Sequence, residues 1–338
     1  MILDRWSKRM IAATAAMGLL FAGNTFTGQG SAAEPTLAAP AVTEPTLRET
    51  VPPTTLTPAP TENPAFGEIA ATADGEHIFV YDAGAGEMLF CSGEETETLY
   101  PASITKLYAA LVALMHLSPG EVVTAGEEVK RVQPGSSRAY VSRGCQLTVE
   151  MLVEAMLIPS GNDAAYVLSA AAGRAIAGDA EMGAYDAVDV FIGEMNRMAG
   201  ELGLVNSHFV NPDGYHDENH YMCPADTALV GALALENPVI AKYAAMQQDS
   251  VTFRSGERIA WYNTNHLINP ESPYYSPAAL GLKTGYTDVA GQCLLAAFRE
   301  GERTFIIGIF GAQKQYQRYA DAIALFDAAM GRSRKMLS

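Results

Sequence analysis

Basic residues are scarce in this sequence: 22 lysines and arginines stand against 38 aspartates and glutamates, a net charge of −16 over 338 residues. A surface that acidic repels phosphate backbones, which argues against nucleic acid as a partner. Cysteine is also rare, with four in the chain: Cys91, Cys145, Cys223 and Cys293. So few thiols in so long a chain exclude a small disulfide scaffold, and their spacing suggests no metal. Two bridges in any of three pairings fit the count, and so do four small buried hydrophobes. No apolar run beyond the first two dozen residues approaches the roughly 20 that a membrane helix needs. Apolar residues are nonetheless abundant, 49% of the chain against 18% charged. That balance excludes a disordered protein or a collagen-like fibre and supports a real core.

The N-terminus has the grammar of an export signal. Arg5, Lys8 and Arg9 precede an apolar stretch from Met10 to Gly23, and Ser31-Ala32-Ala33 offers small residues for cleavage. Residues 1–33 are therefore expected to be a signal peptide and the protein to be exported. Any membrane contact would come through that signal left uncleaved. Positions 34–65 hold 8 prolines and 8 threonines with no Trp, Tyr or Ile. Such a stretch cannot bury enough apolar surface to offset ordering, so it reads as a semi-rigid spacer. The folded domain is expected from 66 to 338.

Within that domain, 77–90 alternates around Gly84-Ala85-Gly86 as a hairpin does, and Ile104–Leu117 carries a helical period ended by Pro119-Gly120. Residues 148–199 read as helices broken at Pro159-Ser160-Gly161 and near Gly178. Another helix is expected over 225–235, a hairpin over 251–261, strands over 280–286, 292–299 and 303–310, and a closing helix over 317–330. Strands at both ends with helices between predict an α/β (α+β) fold: one antiparallel sheet enclosing a helical insertion at about 118–248.

Three short motifs carry chemistry. Of 17 serines only Ser103 has a lysine three residues on, Lys106. On a helical turn the two side chains share a face, so the amine can reach the hydroxyl. An unperturbed lysine, pKa ~10.4, is neutral in only about one molecule per few thousand at pH 7, so the site must lower that pKa. Alone the motif is weak, since about one S-x-x-K is expected by chance in a chain this long. Ser160-Gly161-Asn162 lies in a helix break, where a hydroxyl can relay a proton; by itself it is equally an ordinary helix boundary. Lys283-Thr284-Gly285 sits in a strand, where Gly lets another backbone lie close and Lys with Thr can hold a carboxylate.

Each motif occurs once, in the order S-x-x-K, S-x-N, K-T-G, 57 and 123 residues apart. That set is the recognised signature of penicillin-binding proteins and class A β-lactamases. The flanking text in 101–106, 158–165 and 281–287, with Asn211-Pro212-Asp213-Gly214, His220-Tyr221 and Asn263-Thr264-Asn265-His266-Leu267, resembles the low-molecular-mass D-alanyl-D-alanine carboxypeptidases. The resemblance covers about 66–330. It implies a β-lactamase/transpeptidase-like fold, an antiparallel sheet flanked by helices plus a helical subdomain. It implies a serine peptidase that removes the terminal D-Ala from peptidoglycan stem peptides, needs no cofactor or metal, and is acylated by β-lactams. By the same resemblance Ser103 is the nucleophile, Lys106 its proton acceptor and Ser160 the relay. Asn162, Lys283, Thr284, Gly285 and Tyr286 then bind substrate, with the Ser103 and Tyr286 N–H groups as oxyanion hole. Lys283 is also expected to help keep Lys106 neutral by like-charge repulsion. Arg318 resembles a carboxylate-binding arginine of some members but is one residue out of step. Cys223 stands where relatives usually carry Ser or Thr.

Rival readings remain at this level. A β-lactamase would need a general-base Glu, for which Glu201 near Asn206 is the nearest candidate. An endopeptidase or transpeptidase differs only in peptide position or acceptor. A non-catalytic wall-binding module would not need Ser103, Lys106 and Ser160 intact. His216 and His220, four apart, invite a metal reading, but their loop context and the absence of H-E-x-x-H order speak against it.

Overall fold

The structure, a computed structural model, describes residues 63–332. The expected signal and positions 34–62 of the expected spacer lie outside them. Helix α1 (Pro64–Ala70) opens the described chain, its start set by the Asn63 side chain accepting from the Ala65 N–H and by Pro64 in the first turn. The hairpin β1 (His77–Asp82) and β2 (Glu87–Cys91) follows, and the chain closes with β7 (Ala279–Thr287), β8 (Gly291–Glu300), β9 (Arg303–Ala312) and helix α8 (Gln317–Ala329). These five strands form one antiparallel sheet in the order β2-β1-β9-β8-β7. Its N- and C-terminal halves meet where β1 pairs with β9, as the alternation at the two ends of the chain implied.

Between β2 and β7 lie α2 (Thr105–Ala113), α3 (Val149–Leu157), α4 (Asn162–Ala177), α5 (Ala184–Leu202), α6 (Pro224–Glu236) and α7 (Pro238–Ala244). Two small pairs accompany them, β3 (Val122–Thr124) with β4 (Gln146–Thr148), and β5 (Gln248–Thr252) with β6 (Arg258–Tyr262). The sequence reading did not anticipate α1, α7, β3 or β4, and α1 takes in Pro64 and Ala65 of the expected spacer. Three-residue strands carry no period to detect, whereas Asn237-Pro238 is a cap-plus-proline start that could have been read.

Sheet residues 305–310 are apolar almost without a break because both faces are covered. Phe305, Ile307 and Ile309 join Phe298 and Phe326 under α1 and α8, while Ile306 and Phe310 join Phe79, Leu295 and the helical side. Each such burial is worth about 1.5–3 kcal/mol. All nine residues of α2 are buried, Thr105 and Lys106 among them, so this helix runs through the core. The four cysteines are free thiols, three of them buried. Cys223 is the N-cap of α6, its sulfur accepting from the Asp226 N–H at 3.4 Å. A thiol here does weakly what a Ser or Thr hydroxyl does well, which accounts for the departure noted above.

Candidate active site

Ser103 lies in a single 3-10 turn, Ala102–Ile104, that leads directly into α2. The turn is strained: Ala102 has φ +47°, a left-handed conformation that side chains other than Gly rarely adopt. What holds it is a relay of buried polar groups. The Thr105 hydroxyl donates to the Ala102 carbonyl at 2.9 Å, and Thr105 Oγ1 lies 2.8 Å from His220 Nε2. His220 Nδ1 accepts from the Val210 N–H at 3.2 Å, so the ring proton sits on Nε2 and points at Thr105. Burial pushes the His220 pKa down to about 3, keeping the ring neutral. His216 does something else: it lines the cleft and meets the Tyr100 ring edge-on, centroids 4.8 Å apart.

Lys106 is fully buried. Its Nζ donates to Ser103 Oγ at 2.8 Å and to the Asp213 carbonyl at 2.7 Å. Burial, the largest effect, lowers its pKa to about 8, against the opposing pull of the Asp213 and Asp163 carboxylates. The Asn211–Gly214 motif, seen in the sequence only as part of a resemblance, supplies that carbonyl. Asn211 Oδ1 accepts from the Gly214 N–H at 2.7 Å, closing a tight turn. Gly214 has φ +80°, and a Cβ there would stand 1.8 Å from the Ala102 carbonyl oxygen. No other residue fits.

Ser160 is buried in the break between α3 and α4, with φ +63°. Asn162 begins α4, and its N–H donates to the Ser137 carbonyl at 2.9 Å. Asp163 beside it accepts from the N–H groups of Ala139 (2.8 Å) and Val141 (3.0 Å). These bonds strap the 134–141 loop along one side of the cleft.

The opposite side is β7, an edge strand of the sheet. A Cβ on Gly285 would come within 2.9 Å of both Ala102 Cβ and the Ser103 backbone nitrogen, so the glycine lets β7 lie against the Ser103 turn. Thr284 Oγ1 shares a 2.5 Å hydrogen bond with Thr264 Oγ1. Tyr286 is exposed, its hydroxyl donating to Asp288 at 2.9 Å. Lys283 is buried and donates to the Thr284 carbonyl at 2.8 Å. Its pKa is pushed well down, first by burial, then by the Lys106 and Arg318 cations. This shifts the emphasis of the sequence reading: burial is the chief cause for Lys106, and the like-charge effect shows on Lys283. Arg318, from the first turn of α8, also reaches this wall despite its one-residue offset.

Ser103, Ser160, Asn162, Asp213, Gly214, Thr284, Gly285, Tyr286, Gln292 and Arg318 all border one cleft of about 670 Å³. A depression of similar size, about 660 Å³, lies around Glu150, Lys242 and Tyr243 and holds none of the motif residues. Among the described residues no glutamate borders the Ser103 cleft. Glu201 is an exposed partner of Arg197 at 2.6 Å instead, which removes the β-lactamase candidate base.

An antiparallel sheet with a helical subdomain and a Ser–Lys pair at their junction is the architecture of the penicillin-binding DD-peptidases. The Streptomyces K15 DD-transpeptidase matches with TM-score 0.69 and 26% identity over 77% of this chain and 98% of its own. The D-alanyl-D-alanine carboxypeptidase of Mycobacterium tuberculosis H37Rv matches with TM-score 0.65 and 25% identity, over 78% and 93%. The family described as D-alanyl-D-alanine carboxypeptidase (Peptidase_S11) matches residues 62–314, and the chain belongs to it. It is 31% identical over 261 residues to the carboxypeptidase DacF of Bacillus subtilis, and 29% identical over 258 to DacA of Escherichia coli K12. It covers 76% and 74% of itself in these matches but spans only 62% and 59% of the relatives' lengths.

Proposed function

We propose that this protein is an exported serine D-alanyl-D-alanine carboxypeptidase acting on peptidoglycan stem peptides. The observation that carries the reading is the 2.8 Å contact between Ser103 Oγ and a fully buried Lys106 whose pKa is lowered to about 8. At that pKa about one molecule in ten holds a neutral amine at pH 7, some hundreds of times more than for a free lysine. The Asp213 carbonyl takes one of the remaining N–H groups, which leaves the lone pair for the Ser103 hydroxyl.

The steps follow from those positions. Ser103 Oγ adds to the carbonyl of the penultimate D-Ala while its proton passes to Lys106. The backbone N–H groups of Ser103 and Tyr286 receive the developing oxyanion. The C–N bond then breaks, Ser160 passes the proton on to the departing D-Ala amine, and an ester remains on Ser103. Water cleaves that ester and regenerates the serine. A β-lactam would enter the same path, its opened ring held as the acyl-enzyme. Asn162 and Thr284 orient the substrate, and Arg318, which borders the cleft beside β7, receives its carboxylate. None of the described helices is long and apolar enough to cross a membrane. Residues 1–33 as a signal and 34–62 as a spacer, ending where α1 begins, complete the proposal.

Incubation with a pentapeptide ending in D-Ala-D-Ala, read by mass spectrometry, tests it. Release of a single D-alanine with water added is the expected product. An intact peptide, with no penicillin adduct on Ser103, would remove the reading in favour of a binding module.

A further inference from the structure

Arg318 is only 5% exposed, yet everything that holds it is neutral. Its Nη1 donates to Gln292 Oε1 at 2.5 Å and lies 3.4 Å from the Gly285 carbonyl. Its Nη2 donates to the Tyr319 hydroxyl at 3.3 Å, which is itself turned by donating to the Thr264 carbonyl at 3.0 Å. The Nε is buried without a hydrogen-bond partner. A buried cation is ordinarily matched by a carboxylate, because an unmatched one costs several kcal/mol of desolvation. Here the position facing Nη1 is filled by an amide that differs from glutamate only by nitrogen in place of an oxygen. That choice aims the guanidinium without cancelling its charge.

The placement gives the charge a use. Gln292, the second residue of β8, lies directly opposite Tyr286 of β7, so its side chain and that of Tyr286 share a sheet face. Both border the cleft together with Arg318 and Thr284. The lysine of the same wall is a poor substitute anchor, since its pKa is driven down by burial and by neighbouring cations. A guanidinium stays protonated under all such conditions. We propose that Gln292 is a positioning residue that keeps Arg318 aimed at the cleft and un-neutralised, so that the side chain at position 292 sets how strongly the cleft recognises a free carboxylate. The proposal rests on the acyl-transfer reading above and deepens it by naming what holds the arginine in place.

The test compares acylation by a penicillin with acylation by its methyl ester, which lacks the carboxylate, in the full-length protein. The wild type should prefer the free acid by about tenfold or more. Gln292→Glu keeps the acceptor but adds the cancelling charge, and should reduce that preference by about tenfold. Gln292→Leu removes the aim but not the charge and should reduce it by about threefold. In both, KM for a D-Ala-D-Ala peptide should rise more than kcat falls. A merely structural Gln292 would slow acid and ester alike, and an unchanged ratio in either folded variant overturns the proposal, as does a wild type indifferent to the ester. A ratio that collapses as expected in a protein that releases no D-alanine sustains this inference and removes the peptidase reading alone.

Discussion

The two buried lysines of the cleft make an instructive pair. Lys106 and Lys283 are both essentially inaccessible to solvent, and burial lowers the pKa of each. They differ in company. Lys106 stands near the Asp213 and Asp163 carboxylates, which oppose the effect of burial and leave it titrating at about 8. Lys283 stands among further cations, Lys106 and Arg318, which add to burial in pushing its pKa well down. In the proposed mechanism one residue type thus serves as a proton acceptor on the helical wall and as an unreliable charge on the β7 wall, where the carboxylate is left to Arg318.

The largest way to break the contrast is to remove what Lys106 serves. Ser103→Ala should abolish both penicillin acylation and D-alanine release, a loss of at least about 10⁴-fold, while the fold persists. Intact-mass analysis after penicillin treatment checks it, and an adduct on another serine would overturn the assignment.

Next comes the support beneath Lys106. Gly214→Ala would place a Cβ against the Ala102 carbonyl at an unfavourable φ, and should destabilise by about 3 kcal/mol or more. A denaturant midpoint measures this, and a wild-type midpoint would show that the turn yields easily.

The helical wall should also carry a pH signature in stability. The His220 pKa is depressed from 6.5 to about 3 in the folded state, so the unfolded chain binds the extra proton between those values. Its contribution is complete above pH 6.5 and declines as pH falls, by up to about 1.4 kcal/mol per unit. His220→Gln should flatten that part of a stability-against-pH curve; an unaltered slope would mean that other groups govern it.

The smallest effects sharpen the comparison most. In the proposed mechanism the active form has neutral Lys106, so acylation should rise with pH through a midpoint near 8. Asp213→Asn removes a carboxylate that raises the Lys106 pKa and should move this limb downward. Lys283→Ala should leave it in place, because burial and the Asp213 and Asp163 carboxylates set the Lys106 pKa. A rate profile that stayed fixed in Asp213→Asn as well would leave burial as the sole cause.

Much of this was legible in the residues themselves. The alternation of 77–90, the uninterrupted apolar strand at 305–310 and the helix break at 159–161 depend on contacts a few residues apart, which local pattern reports directly. Ser103, Lys106, Ser160, Asn162, Lys283 and Thr284 were nameable because their motifs are short and ordered. Gly285 was even given its reason, close backbone approach, before the approach to Ser103 was visible.

Other features required the chain to be folded. The Asp213 carbonyl that holds Lys106 lies 107 residues away in sequence, and a backbone oxygen leaves no mark in side-chain pattern. Arg318 looked misplaced by one residue, yet the start of α8 delivers it to Gln292 and Gly285 through space. The Lys106 pKa is set by burial that many distant segments supply together, so no window of sequence contains it. Sequence determined which groups could react, because identity and local spacing are one-dimensional; the tertiary structure decided which would be charged, because desolvation and the company of other charges are properties of the packed interior.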